Sequence, residues 1–191
     1  MADYMPVGIQ YNVSEATVLA GGWKVYYEST YATPLGTDPG AALSAAAAQF
    51  GYSNVMLAAK ATGSSTFDIL AQAPVADVIF NTGAADNGVT HIANGVEWYY
   101  APTWSWGFAG VGDAVRKWSC DINSGADRLC WHNLANVGGY RDGSFTGLNG
   151  STAYTKVILV EGANQVPEPA SLALVGLGLA GLSLSRRRKV A

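Results

Sequence analysis

Val157-Ile158-Leu159-Val160, within the stretch 154–160, is apolar at four successive positions. A strand with one wet face alternates apolar and polar residues, so this unbroken run predicts a strand covered on both faces. Upstream lie segments that suit it as partners. Short runs rich in β-branched and aromatic residues occur at 7–13, 21–27, 54–59, 66–71, 75–80, 96–100, 104–108, 114–121 and 128–132, separated by turn-forming residues. That spacing predicts an antiparallel sandwich. One helix interrupts the strands at 40–50: Asp38 is placed to cap it, Pro39 suits its first turn, its alanines favour it and Gly51 ends it. Leu43, Ala46, Ala47 and Phe50 form its expected buried stripe, and this helix is the expected cover for the second face of 157–160. The fold expected is mainly β: an antiparallel β-sandwich-like domain over 1–163 with one short helix, then a tail at 164–191 holding a single hydrophobic helix.

Composition narrows the function. With 191 residues the chain holds one well-packed domain plus a tail, and a charged fraction of 13% argues against disorder. The net charge is −3; with the four cations Arg186, Arg187, Arg188 and Lys189 set apart, the rest carries −7. Such a body has no basic face for phosphates, so no nucleic-acid partner is expected.

The tail has three parts in order. Pro167-Glu168-Pro169 is rigid and extended, because each proline fixes its own φ and turns the preceding residue away from helix. An apolar run over 170–185 follows, carrying Leu172, Leu174, Val175, Leu177, Leu179, Leu182 and Leu184. As a helix it reaches roughly 24 Å, short of a ~30 Å hydrocarbon core, and its leucines and valine supply only ~2 to 4 kcal/mol of insertion energy. That suits a temporary anchor. The basic stop Arg186, Arg187, Arg188 and Lys189 belongs on the cytoplasmic side, which places the body across the membrane from it.

These three parts resemble the PEP-CTERM sorting signal of exported bacterial proteins. The resemblance implies an exosortase as partner, the inner membrane as a transient one, cutting near Pro167-Glu168-Pro169, and release to the cell surface or outside the cell. The body in turn resembles a β-rich domain of secreted proteins with such tails. The residues that carry this are Gly21-Gly22-Trp23, Tyr31, Ala61-Thr62-Gly63-Ser64, Ala76-Asp77-Val78, Ser105-Trp106-Gly107-Phe108, Ser119-Cys120-Asp121, Leu129-Cys130-Trp131-His132 and Gly147-Leu148-Asn149. Relatives of that kind tend to hold more cysteines, where this chain has Tyr26, Ala59 and Asp142. No molecular activity comes with the resemblance. Residues 1–6 run into domain-like sequence without the charged start, apolar core and cleavage site of an export leader, so the precursor is expected to begin upstream of Met1.

For the body, two readings from different classes stand. Aromatics crowd 98–108, and Trp98, Tyr99, Trp104 and Trp106 are the expected contacts to an exopolysaccharide, since exposed rings stack on sugars. Strand alternation turns about half of any such run into the core regardless of ligand. The alternative is a secreted hydrolase using His132 or His91, although no serine has the surroundings of a nucleophile elbow. The chain is therefore expected not to be an enzyme. No cofactor and no metal are expected either: two histidines and two cysteines lack paired zinc spacing, and Asp121, Asn123 and Asp127, like Asn81, Asp86 and Asn87, read as turn residues rather than a calcium loop. Cys120 and Cys130 lie symmetrically about Gly125, as opposed positions of a hairpin would, and export favours a disulfide between them over two buried thiols.

Overall fold

A computed structural model describes residues 4–113, 115–117, 126–134 and 140–161. The fold is mainly β, built from two five-stranded antiparallel sheets. The first has the order β1 (Gln10–Ser14), β4 (Thr66–Pro74), β3 (Asn54–Ala61), β10 (Tyr154–Glu161), β2 (Trp23–Thr30). The second is a meander of β5 (His91–Ala93), β6 (Val96–Tyr100), β7 (Ser105–Ala109), β8 (Arg128–His132) and β9 (Arg141–Asp142). The strand holding 157–160 lies between β3 and β2, so its ladders are filled on both edges.

Side chains alternate across each sheet, as the period of two requires. Val55, Leu57 and Ala59 of β3 and Ile158 and Val160 of β10 point into one cluster with Val96, Trp98, Tyr100, Trp106, Phe108, Leu129 and Trp131 of the second sheet. This is the inter-sheet core. Met56, Ala58, Val157 and Leu159 face the other way, onto Val18 and Trp23. Both faces of 157–160 are thus covered, but the outer cover is α1 (Glu15–Ala20), capped by Ser14, together with Trp23, whose indole donates to the Tyr4 carbonyl at 2.6 Å. The 40–50 helix does not serve there.

That helix forms as α2 (Pro39–Phe50), with Asp38 at its N-cap accepting from the Ala41 amide at 2.9 Å and Gly51 ending it at φ 75°. The Tyr100 hydroxyl donates to the same Asp38 oxygen at 2.5 Å and accepts from the Gly40 amide at 2.8 Å. The Tyr100 bond and then the Ala41 amide hold the Asp38 carboxyl below its ordinary range. α2 is therefore docked by its first turns, through Gly40 and Leu43, against the edge of the inter-sheet core. Its far end is free. Phe50 is 58% exposed and stacks only on Tyr52, so the expected buried stripe reaches Leu43 and partly Ala46 and Ala47 and stops there.

Two further corrections concern local structure. Residues 75–80, expected as a strand, hold α3 (Val75–Val78), because Pro74 at the end of β4 has no amide for a ladder and fixes φ at −51°. The described residues thus contain three helices rather than one. Of 114–121 only 115–117 are described, and they form no strand; the expected tail helix lies wholly outside the described residues.

Candidate functional site

The aromatic run does not present a platform. Trp98 and Trp106 are fully buried in the inter-sheet core, and Tyr99 is buried on the opposite face of its sheet with Ala109, Val115 and Cys130. Only Trp104 is half-buried, tilted 5.7 Å from the ring of His132. Trp98, Tyr99 and Trp106 therefore cannot stack on a glycan; their payload is the core. The Trp98 and Trp106 indoles donate inside the fold, to the carbonyls of Ala93 and Val78.

The two histidines differ. His132 is buried on β8, its ring parallel to Tyr140 at 6.1 Å. Its cross-strand neighbour Ser105 is also buried, and the Ser105 hydroxyl makes no hydrogen bond. That pair cannot meet a substrate. His91 instead borders a cavity of about 620 Å³ lined by Met5, Val7, Asn54, Gln72, Pro74, Asp77, His91, Ile92, Ala93 and Asn94.

Four stretches of chain build this cavity, 5–7, 54, 72–77 and 91–94. Asn94 and Gly95 adopt φ 49° and 73° between β5 and β6, the left-handed pair of a two-residue hairpin turn. The turn aligns His91 with Trp98 and leaves Ile92 60% exposed at the rim. From the turn, the Asn94 amide nitrogen donates to the carbonyls of Pro6 and Gln72, both at 2.9 Å, which fastens the N-terminal segment and β4 to β5. α3 then carries Asp77 to His91, with Nε2 and Oδ1 2.8 Å apart. Phe80, half-exposed, stacks on the other side of the imidazole at 4.4 Å.

Asn54 donates its Nδ2 to Glu161 at 2.8 Å, and Gln72 donates its Nε2 to the Pro6 carbonyl at 2.8 Å. Asn54 and Gln72 each keep a second N–H, the Asn94 amide nitrogen is committed twice, and Gln72 Oε1 is buried without a partner among the described residues. Among the described residues no lysine or arginine lines the cavity. Chemically it offers an oriented imidazole, one carboxylate, three side-chain amides and an apolar rim, and among the described residues no Ser, Thr or Cys nucleophile.

The other expected sites fare as follows. Cys130 is buried on β8 and is not a free thiol, while Cys120 lies outside the described residues. Asn81 and Asn87 accept from backbone amides two residues ahead and Asp86 faces Arg116, so they are turn residues; among the described residues no cluster of three or more metal-ligating side chains occurs. Among the same residues no helix is long and apolar enough to cross a membrane. Pro167, Glu168, Pro169, the apolar run and the basic stop fall outside the description.

Those tail residues are assigned by comparison. A family model described as the PEP-CTERM protein-sorting motif matches residues 165–189. The chain carries a PEP-CTERM sorting motif. It is accordingly an exported protein sorted by an exosortase, held transiently at the membrane before processing. The match spans the tail alone, and no curated protein and no solved structure matches the chain.

Proposed function

We propose that the body is a non-catalytic component of the cell surface or extracellular matrix that binds exopolysaccharide, and that the tail is an address read and then removed. The observation that carries the sorting part is the match of 165–189 to a sorting motif, in a run too short to anchor well; what supports the polysaccharide part is the open cavity at His91. In a host with the cognate exosortase, and from a precursor given a working signal peptide, mature protein is expected to lack residues 172–191 and to be found at the surface or in the medium. Replacing Pro167, Glu168 and Pro169 together is expected to leave an uncut precursor in the membrane. Removing Arg186, Arg187, Arg188 and Lys189 weakens orientation before cutting. Mass spectrometry of the surface fraction decides it: intact Arg186 and Lys189 on the matured protein would replace processing with simple anchoring.

A secreted hydrolase is the second reading, and the His91–Asp77 pair in an open cavity favours it. The missing nucleophile weighs against it. Maturation outside the cytoplasm brings the Cys120–Cys130 disulfide with it, closing a short loop and stabilising by roughly 2 to 3 kcal/mol in the chain-entropy model. Thiol titration of unfolded, unreduced surface protein is expected to find no free thiol, and reduction to release two. Two thiols before reduction would remove the disulfide.

A further inference from the structure

We infer that the His91 cavity is the glycan subsite and that it takes a neutral saccharide, an inference that rests on the polysaccharide-binding reading above. The selection is made by hydrogen-bond bookkeeping. Only Asn94 spends both of its N–H groups on protein, on Pro6 and Gln72; Asn54 gives one to Glu161 and Gln72 one to Pro6, so each of these keeps a second N–H. What the amides hold out is therefore both N–H and carbonyl oxygen, and Asp77 adds a carboxylate. A ligand that satisfies such a wall must both donate and accept hydrogen bonds without carrying charge. Hydroxyl groups do this.

Charge removes the competing classes. With no lysine or arginine among the described lining residues, a uronate, sulfate or phosphate would meet Asp77 and have nothing there to neutralise it. The remainder of the cavity is apolar, from Met5, Val7, Pro74, Ile92 and Ala93. A pyranose presents hydroxyls at its edge and C–H groups on its faces, which suits amides on one side and aliphatic side chains on the other. The Phe80–His91 stack stiffens the wall next to the amides. Asp77 fixes the imidazole through Nε2.

The test uses the full chain in detergent micelles, titrated calorimetrically with maltohexaose, mannohexaose, cellohexaose, oligogalacturonate and spermidine. At least one neutral hexaose is expected to bind. His91→Ala and Ile92→Glu are each expected to weaken it at least tenfold, while Phe145→Ser, at an exposed aromatic outside the cavity, leaves it unchanged. Thermal unfolding of each variant shows that the fold is kept; Ile92 is exposed enough to change without a core penalty. A neutral hexaose that binds the variants as well as the parent overturns the subsite but not the polysaccharide-binding reading. Preference for oligogalacturonate or spermidine overturns the neutral class. No binding by any saccharide overturns both the subsite and that reading.

Discussion

Gly107→Ala is expected to cost about 3 to 5 kcal/mol, a large share of the stability of an ordinary domain. Gly107 sits in the middle of β7, paired to Tyr99 on one side and Cys130 on the other. A Cβ there would lie 2.2 Å from the Leu129 carbonyl oxygen, 2.7 Å from Cys130 Cβ and 2.7 Å from the Tyr99 hydroxyl. The hydroxyl can swing aside. The carbonyl cannot, because it belongs to the backbone of β8, and moving it disturbs the ladder between two buried strands. Gly112 is the control: its φ of 88° makes alanine costly, but nothing lies within 4 Å of its missing Cβ. Gly112→Ala is expected to cost only about 1 to 2 kcal/mol. Urea midpoints for the two variants measure the difference, and equal losses would mean that the tight approach at Gly107 is absent.

Much of the fold was legible where the deciding signal is local. The helix at 39–50 was announced by a cap, a first-turn proline and a terminal glycine, and each acts within a few residues of itself. Strands 96–100 and 128–132 fall on their expected bounds because apolar and aromatic residues there are bracketed by turns. What failed needed a partner from elsewhere. Phe50 has the right period for a buried stripe, yet periodicity cannot say that Tyr100 docks only the first turns of the helix. Alternation placed half of the aromatic run inward; the remaining Tyr99 is also covered, by the outer-face cluster with Val115. The candidate site was the least legible part, since Val7, Asn54, Gln72, Asp77 and His91 come from separate stretches. One signal was present: Asn94-Gly95 is a strong hairpin dipeptide, and it would have placed His91 opposite Trp98. The tail was legible because a sorting signal is read as linear sequence.

The second large effect is a stability minimum near pH 8. Asp142 is fully buried on β9, and both its oxygens lack a hydrogen-bond donor. Burial first, then the charge of Asp68, push the Asp142 carboxyl up to about 8. The folded protein therefore keeps Asp142 protonated while the unfolded chain has lost that proton above pH 4. The stabilisation is complete below about pH 4 and is lost as the pH rises to about 8, at about 1.4 kcal/mol per unit and on the order of 4 to 6 kcal/mol in all. Lys156 acts in the opposite sense. It is fully buried, its ammonium donates to the Thr30 and Thr33 carbonyls, and burial pulls it down to about 8. A depressed lysine contributes stability that is complete above its ordinary value and lost as the pH falls to about 8, so roughly 3 kcal/mol returns between pH 8 and 10.5. Urea unfolding of the full chain at pH 4.5, 8 and 10 is expected to give its lowest midpoint at pH 8. Asp142→Asn, which does not ionise, flattens the limb from 4.5 to 8, and Lys156→Met flattens the limb above 8. If the Asp142→Asn chain lost as much between pH 4.5 and 8 as the parent, the acid limb would have to come from other carboxyls and the buried pair would have no part in it.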